Sequence, residues 1–204
     1  MKDALLVLDM MNEIVRSDAA WGQMGYGYGS ESERRGVVPK TAAAIAHARS
    51  SGVPVIYVTV GYNASYAHWP SKSPVFTEAG REAGLLQIGS WGQAIHEDLA
   101  PQDGDLHVTK RRVSPFYSTD LEVALRTQRV ERILLCGVAT DHVVIATARD
   151  GHDRDLEIVV FEDCCAAGAS ERHDAAIVVL DGVARITSST EFRREAVGDL
   201  SRTG

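Results

Sequence analysis

The stretch that decides the fold runs Leu134-Leu135-Cys136-Gly137-Val138-Ala139-Thr140-Asp141-His142-Val143-Val144-Ile145-Ala146-Thr147-Ala148-Arg149-Asp150. It begins inside an apolar run, from Arg132 to Cys136, which predicts a buried β-strand. Gly137 interrupts this run, and Thr140 or Asp141 is suited to cap a following helix whose apolar residues recur at helical spacing. A strand, a tight turn and a helix in this order are typical of α/β proteins, where the first turn of the helix faces a bound ligand.

The rest of the chain repeats this alternation of strand and helix. Apolar, β-branched runs predict six strands, at Ala4–Leu8, Val53–Val60, Leu106–Thr109, Arg132–Cys136, Glu157–Phe161 and Ala184–Thr187. Helical spacing is present at Pro39–Ser51, Thr119–Gln128, Asp141–Asp150 and Ser170–Leu180. Continuous apolar strands that alternate with helices indicate a parallel sheet covered on both faces. The sequence therefore predicts an α/β fold, a three-layer α/β/α sandwich around a six-stranded, mainly parallel, Rossmann-like sheet.

Length and composition predict a single domain over residues 1–204 and limit its partners. The chain is 45% apolar and 24% charged, as in ordinary globular proteins, and its net charge of −7 argues against nucleic acid as a partner. No apolar stretch is long enough for a membrane span, and the first predicted strand leaves no room for a signal peptide. Three cysteines make no disulfide framework, so we expect a cytoplasmic protein with a small-molecule partner.

Two stretches lack clear periodicity. Residues 17–36 contain five glycines together with Trp21, Tyr26 and Tyr28, which predicts a long loop or flap. Residues 61–92 are rich in aromatic side chains, including Tyr62 and Trp69. Long loops in compact domains often act as lids or bind partners, so this aromatic segment is expected to contribute either to a pocket or to an oligomer interface.

Two charged residues end predicted strands, at the edge where such sheets bind ligands. Asp9 closes the first strand, where burial would raise its pKa and suit it to acid–base chemistry, although a turn or helix-capping role fits its position equally well. Lys110 closes the third strand, where it could hold Asp9 ionised or stabilise developing negative charge. A solvated strand end is the simpler interpretation of Lys110 when it is considered alone.

Three motifs in this order resemble those of the isochorismatase-like, or cysteine hydrolase, superfamily. They are Leu-Asp-Met-x-Asn around Asp9, the stretch from Lys110 to Leu121, and Gly-Val-Ala-Thr-Asp-x-x-Val-x-x-Thr-Ala-x-Asp from Gly137. The resemblance extends from about Ala4 to Thr187 and implies a hydrolase with Asp9 as general acid or base and Lys110 as its catalytic lysine. At the position where most amidases of that family carry a nucleophilic cysteine, this chain has Val143.

The resemblance also implies further site features. It places a cis peptide before Ala139, after Val138, that directs backbone N–H groups into an oxyanion hole. Expected substrate-binding residues are Phe116, Thr140, His142, Tyr62 and Trp69. Phe116 is equally well explained as a core aromatic at a helix entrance, and His142 as an ordinary residue of the first helical turn. We expect no metal and no cofactor, since His68 lacks the paired carboxylate of the family's metal sites.

The absence of a thiol at Val143 limits the chemistry, because a covalent acyl-enzyme needs a thiolate. Cys136 lies within a predicted strand and Cys164 and Cys165 follow another, so none is expected to replace it. Three functions stay open: acid–base hydrolysis of a vinyl ether, as in isochorismatases proper; amide hydrolysis by water that Asp9 activates; or a catalytically silent binding subunit. The family also leads us to expect a homodimer or homotetramer.

Overall fold

The computed structural model describes residues 1–200, with side chains described for residues 1–194. Its centre is a six-stranded sheet in the order β3-β2-β1-β4-β5-β6, and every neighbouring pair of strands is parallel. The strands are β1 (Asp3–Leu8), β2 (Val55–Val60), β3 (Leu106–Lys110), β4 (Arg132–Val138), β5 (Glu157–Ala166) and β6 (Arg185–Thr187). The predicted α/β fold and its six strands are confirmed, and the sheet is parallel throughout the described chain.

Helices cover both faces of this sheet. They are α1 (Asn12–Val15), α2 (Tyr28–Arg35), α3 (Val37–Ser50), α4 (Glu78–Glu82), α5 (Leu121–Thr127), α6 (Ile145–His152), α7 (Ser170–Leu180) and α8 (Ser189–Leu200). No helix in the described part of the chain is long and apolar enough to cross a membrane.

Alternate residues of β1 divide the interior into two cores. Leu5 and Val7 pack into one core with residues of α3, whereas Leu6 and Leu8 pack into the other core with residues of α5, α6 and α7. This division follows from the two-residue period of a strand, which sends successive side chains to opposite faces. Because both faces are covered, β1 is buried from Ala4 onwards, and each such leucine or valine contributes about 1.5–3 kcal/mol through burial.

The predicted flap at residues 17–36 is largely helical. It contains a wide π-type turn over Gly22–Tyr26, followed by α2, and Gly27 joins the two with φ of +75°. A Cβ atom at Gly27 would lie 2.1 Å from the carbonyl oxygen of Gly168, so glycine is required there by both conformation and space. In this segment Gly27 therefore allows the backbone to pack closely against Gly168, and does not mark a loop.

The helix after β4 begins differently from the prediction. A wide turn over Thr140–Val144 precedes α6, and neither Thr140 nor Asp141 caps it. The Thr140 hydroxyl instead bonds to His173, and Asp141 pairs with Arg172, both at the start of α7. The two side chains that the sequence suggests as helix caps therefore form tertiary contacts with α7 and do not cap a helix.

Candidate active site

A pocket lies at the carboxyl-end edge of the sheet, where β1, β3 and β4 end. The space between its walls, including the part open to solvent, amounts to about 420 Å³. Fourteen residues line it, and most of them are apolar: Asp9, Ile14, Trp21, Tyr28, Val60, Val75, Phe76, Leu86, Lys110, Val113, Val138, Ala139, His142 and Val143. Asp9, Lys110 and the turn that leads to Val143 are therefore brought together, as their positions at strand ends predict.

Asp9 and Lys110 form a buried ion pair within this pocket. Lys110 Nζ lies 2.8 Å from Asp9 Oδ2, and the two residues are only 2% and 6% exposed respectively. Asp9 Oδ1 accepts a hydrogen bond of 3.0 Å from the Val60 backbone N–H, and Lys110 Nζ also donates to the Arg112 carbonyl at 3.2 Å. Burial raises the pKa of Asp9 above its usual value, against the opposing effect of the Lys110 ammonium.

The backbone turn after β4 forms another wall of the pocket. Gly137 has φ of +142°, and the Val138–Ala139 peptide bond is cis, at the bond that the sequence resemblance implies. The Ala139 carbonyl accepts hydrogen bonds of 3.2 Å from the backbone N–H groups of His142 and Val144. Val143 is 1% exposed and lines the pocket, so an apolar side chain fills the position that the motif assigns to the nucleophile.

The first turn of α7 holds this backbone turn from behind. His173 Nδ1 and Thr140 Oγ1 are 2.8 Å apart and both residues are buried, while Arg172 Nε donates to Asp141 Oδ2 at 2.6 Å. Burial lowers the pKa of His173, and the positive charge of Arg35 adds to that effect. Thr140 therefore supports the turn and does not line the pocket, contrary to its expected role in substrate binding.

Three aromatic residues expected to bind substrate also lie outside the pocket lining. Tyr62 and Trp69 pack behind Phe76, with ring centroids 5.9 and 5.6 Å from it, so they support the pocket wall without forming its surface. Phe116 belongs to the core on the α5–α7 face, and the Arg154 guanidinium lies 4.6 Å from its ring centroid. For Phe116 the alternative interpretation, a core aromatic, describes its place in the structure. Of the five expected substrate-binding residues, only His142 lines the pocket.

Trp21 and Tyr28 also line the pocket, and no motif in the sequence predicts a site role for either residue. They come from the glycine-rich segment, and their rings join those of neighbouring residues: Trp21 meets Phe76 edge to face at 6.5 Å, and Tyr28 meets His142 at 6.2 Å. Desolvation raises the pKa of Tyr28 to about 12. The aromatic residues within 17–36 are the sequence signal that could have identified these two residues. The helical conformation of this segment, which sets the direction of each ring, could not be predicted from the sequence.

The three cysteines lie outside the pocket lining. Cys136, Cys164 and Cys165 are fully buried, and burial raises the pKa of each thiol, to about 12 for Cys164. None of them lines the pocket. Among the residues that the structure describes, no group of three or more His, Cys, Asp or Glu side chains is arranged to hold a metal ion.

Comparisons with a family model, with known sequences and with solved structures identify the same family. The family model of the isochorismatase domain matches residues 3–191. The chain is 35% identical over 157 residues to YecD, an uncharacterized isochorismatase family protein of Escherichia coli O157:H7, covering 76% of this chain and 81% of that protein. It is 29% identical over 212 residues to the ureidoacrylate amidohydrolase RutB of Methylobacterium radiotolerans, covering 97% and 80%. The crystal structure of an isochorismatase family protein from Desulfovibrio vulgaris superposes with a TM-score of 0.84 at 25% identity, over 96% and 98% of the two chains.

Proposed function

Because this chain belongs to the isochorismatase family of hydrolases, we propose that it hydrolyses a small molecule through Asp9, Lys110 and water, without a covalent cysteine intermediate. One observation carries the proposal. The buried Asp9–Lys110 ion pair is present at the pocket, while Val143 occupies the position of the nucleophile. Burying two charges is costly unless they have a use, and a valine offers no lone pair for attack on a substrate.

Asp9 is suited to act as a general acid on a vinyl ether. Burial raises the pKa of Asp9, which makes its carboxyl easier to protonate than an exposed aspartate, while the Lys110 ammonium that pairs with it acts in the opposite direction. In this reaction the Asp9 carboxyl transfers its proton to the terminal carbon of the vinyl group, which leaves an oxocarbenium ion. Water adds to this cation and returns a proton to Asp9, and the hemiketal then breaks into a carbonyl compound and an alcohol. The Lys110 ammonium stabilises the Asp9 carboxylate between the two proton transfers.

Amide hydrolysis is the second candidate, and the relatives favour it, because RutB is named as an amidohydrolase. In that reaction the ionised Asp9 takes a proton from water as the water attacks the amide carbonyl. The tetrahedral intermediate then collapses when Asp9 returns that proton to the leaving nitrogen. Lys110 favours the ionised carboxylate that this route needs. Both routes use the same pair of residues and differ in whether Asp9 first gives or first takes a proton.

A substrate panel tests the proposal and separates the two routes. The panel contains isochorismate and 2-methoxypropene as vinyl ethers, and ureidoacrylate and benzamide as amides. Each is measured with the natural protein, with Asp9→Asn and with protein treated with iodoacetamide. We expect turnover of a vinyl ether, a loss of roughly a hundredfold or more in Asp9→Asn, and no loss on alkylation.

Each result has a definite meaning for the proposal. Turnover confined to amides would replace the vinyl-ether route with the amide route. Turnover that survives in Asp9→Asn, or that iodoacetamide abolishes, would overturn the proposal. If no compound in the panel is hydrolysed, a catalytically silent binding role becomes the better explanation.

A further inference from the structure

A second pocket adjoins the segment that directly follows Lys110. The space between its walls, including the part open to solvent, amounts to about 690 Å³. Two consecutive arginines, three residues with hydroxyl groups and a histidine line it: Arg111, Arg112, Thr109, Tyr117, Ser118 and His68. Lys110 and Val113, on either side of the two arginines in the sequence, line the active-site pocket instead. One short segment therefore supplies residues to two different pockets.

The positive charges of the second pocket are not neutralised. Among the residues that the structure describes, no aspartate or glutamate lines this pocket, and neither arginine has a carboxylate within ion-pair distance. Other arginines of the chain do pair with carboxylates, as Arg16, Arg132 and Arg154 show. In a chain whose net charge is −7, this pocket is therefore a local concentration of free positive charge.

Backbone contacts hold the two guanidinium groups close to each other. Arg112 Nη1 donates to the carbonyl oxygens of His68 and Arg111 at 2.9 and 2.7 Å, and the bond to His68 lies at the exposed surface. Arg111 Nη1 donates to the Lys110 carbonyl at 3.4 Å. Burial raises the pKa of Tyr62, and the charges of Arg112 and Arg111 both oppose that rise, so both act on one hydroxyl. Since an arginine has five N–H donors and these bonds use Nη1 alone, the Nε and Nη2 donors of both are left for a ligand.

We propose that this second pocket binds a phosphate group, either free inorganic phosphate or the phosphate monoester of a small molecule, with Arg111 and Arg112 as its cationic ligands. Guanidinium groups bind phosphate oxygens through paired N–H donors. A phosphate monoester carries a charge of about −1.5 to −2 at pH 7, which matches two arginines better than the single charge of a carboxylate. Hydroxyl groups, such as those of Thr109 and Ser118, can add neutral donors.

The inference does not depend on the proposed hydrolysis, because neither arginine lines the active-site pocket. Titration of the full chain with three anions tests it by nitrogen-15 NMR, at one pH and one ionic strength, since salt screens such sites. The anions are inorganic phosphate, phenyl phosphate and benzoate. We expect saturable binding of phosphate that moves the backbone amide signals of Arg111 and Arg112, and about tenfold weaker binding of benzoate. Tighter binding of phenyl phosphate than of inorganic phosphate would identify the ligand as an organic phosphate, and the reverse order would identify the free ion.

Arg111 is the better position for a variant, because its side chain has only the long bond to Lys110 to lose. Arg111→Gln should weaken phosphate binding roughly tenfold, the effect of one hydrogen bond to a charged group. Arg111→Lys should bind with intermediate affinity, because lysine keeps the charge but not the paired donors. Arg149→Gln is the matched control, since Arg149 is exposed on α6 and does not line this pocket. The control removes the same charge and should change the affinity less than about twofold.

Three results would overturn the inference: no saturable phosphate binding up to about 20 mM, benzoate that binds as tightly as the phosphates, or equal losses of affinity in Arg111→Gln and Arg149→Gln. If Arg111→Gln does not fold, the amide signals of the natural protein and the benzoate comparison still decide the matter. Because the titration measures binding alone, its failure would leave the proposed hydrolysis standing. Conversely, phosphate binding without turnover of any substrate would count against the hydrolysis alone.

Discussion

Lys110 Nζ lies 2.8 Å from Asp9 Oδ2, although the strands that carry them, β3 and β1, are separated in the sheet by β2. The lysine thus reaches past a whole strand to the carboxylate. The middle strand takes part as well, because the Val60 backbone N–H donates to Asp9 Oδ1. Three parallel strands therefore converge on one carboxyl group.

Removal of one member of this pair should destabilise the protein more than removal of both. Lys110→Met leaves a buried carboxylate unpaired, and Asp9→Asn leaves a buried ammonium, so each should lower the free energy of unfolding by about 3–5 kcal/mol. Asparagine is the suitable replacement because Asp9 has φ of +51°, a conformation that asparagine tolerates. Urea denaturation of the two single variants and the double variant measures the coupling. Additive losses would show that the two charges do not stabilise each other.

A thiol introduced at Val143 should become the reactive cysteine of the protein. The position lines the same pocket as Lys110 and lies in the wide turn directly before α6, and an ammonium group and a helix N-terminus both favour a thiolate. We expect iodoacetamide to alkylate Val143→Cys on the native protein because this position lines the pocket, whereas the three natural cysteines are buried outside the pocket lining and should not react. Intact-protein mass spectrometry detects each addition, and Val143→Ala serves as the control without a thiol. Alkylation of Cys136, Cys164 or Cys165 in the folded natural protein would contradict the expectation.

Gly137 should be among the least replaceable residues of the chain. Its φ is +142°, and a Cβ atom there would lie 2.0 Å from the carbonyl oxygen of Leu8 in the neighbouring strand. Gly52→Ala is the control, because Gly52 also has a positive φ, of +68°, but the Cβ atom of an alanine there would meet no neighbouring atom within 4 Å. The control should lose only about 1–2 kcal/mol for its conformation, while Gly137→Ala should lose more because strands β1 and β4 must separate. Equal losses in thermal or urea unfolding would be inconsistent with this packing.

His173 should make the protein less stable in acid. Burial lowers its folded-state pKa below the usual value of 6.5, so the unfolded chain binds a proton at a pH where the folded chain does not. The free energy of unfolding should consequently fall as the pH drops below about 6.5 and continue to fall until the folded-state pKa is passed. His173→Gln should reduce this slope, which unfolding curves between about pH 7 and pH 5 would measure. Some slope should remain, because burial also lowers the pKa of His107.

The bond between His173 and Thr140 offers a separate measurement. Thr140→Val keeps the shape of the side chain but leaves His173 Nδ1 without its partner, at an expected cost of about 1–3 kcal/mol. Thr147→Val is a comparable change nearby, since the Thr147 hydroxyl donates to the Val143 carbonyl, an acceptor on the same turn. If Thr140→Val leaves both stability and the acid slope unchanged, α7 does not hold the turn through this pair.

The sequence predicts the sheet and the charged pair because both depend on local patterns. Buried parallel strands are continuous apolar runs, and Asp9 directly follows such a run. Lys110 ends the edge strand β3, in which buried and exposed residues alternate. The pocket wall could not be predicted in the same way. Tyr62 and Trp69 lie in a segment without a regular period, so nothing in their spacing indicates that they stand behind Phe76. Trp21 lies in a segment whose glycines predict a loop, whereas contacts such as that between Gly27 and Gly168 fold it against the body of the protein.

The partners of the ion pair are all on one side of the site. The Asp9 and Lys110 side chains bond to each other, to Val60 and to Arg112, which belong to or directly follow β2 and β3, while the turn with Val143 is held by α7. The ion pair and the turn that carries Val143 therefore have different hydrogen-bond partners, although both border one pocket. A substitution at position 143 can change the chemical groups that face the pocket without removing a hydrogen bond from Asp9 or Lys110.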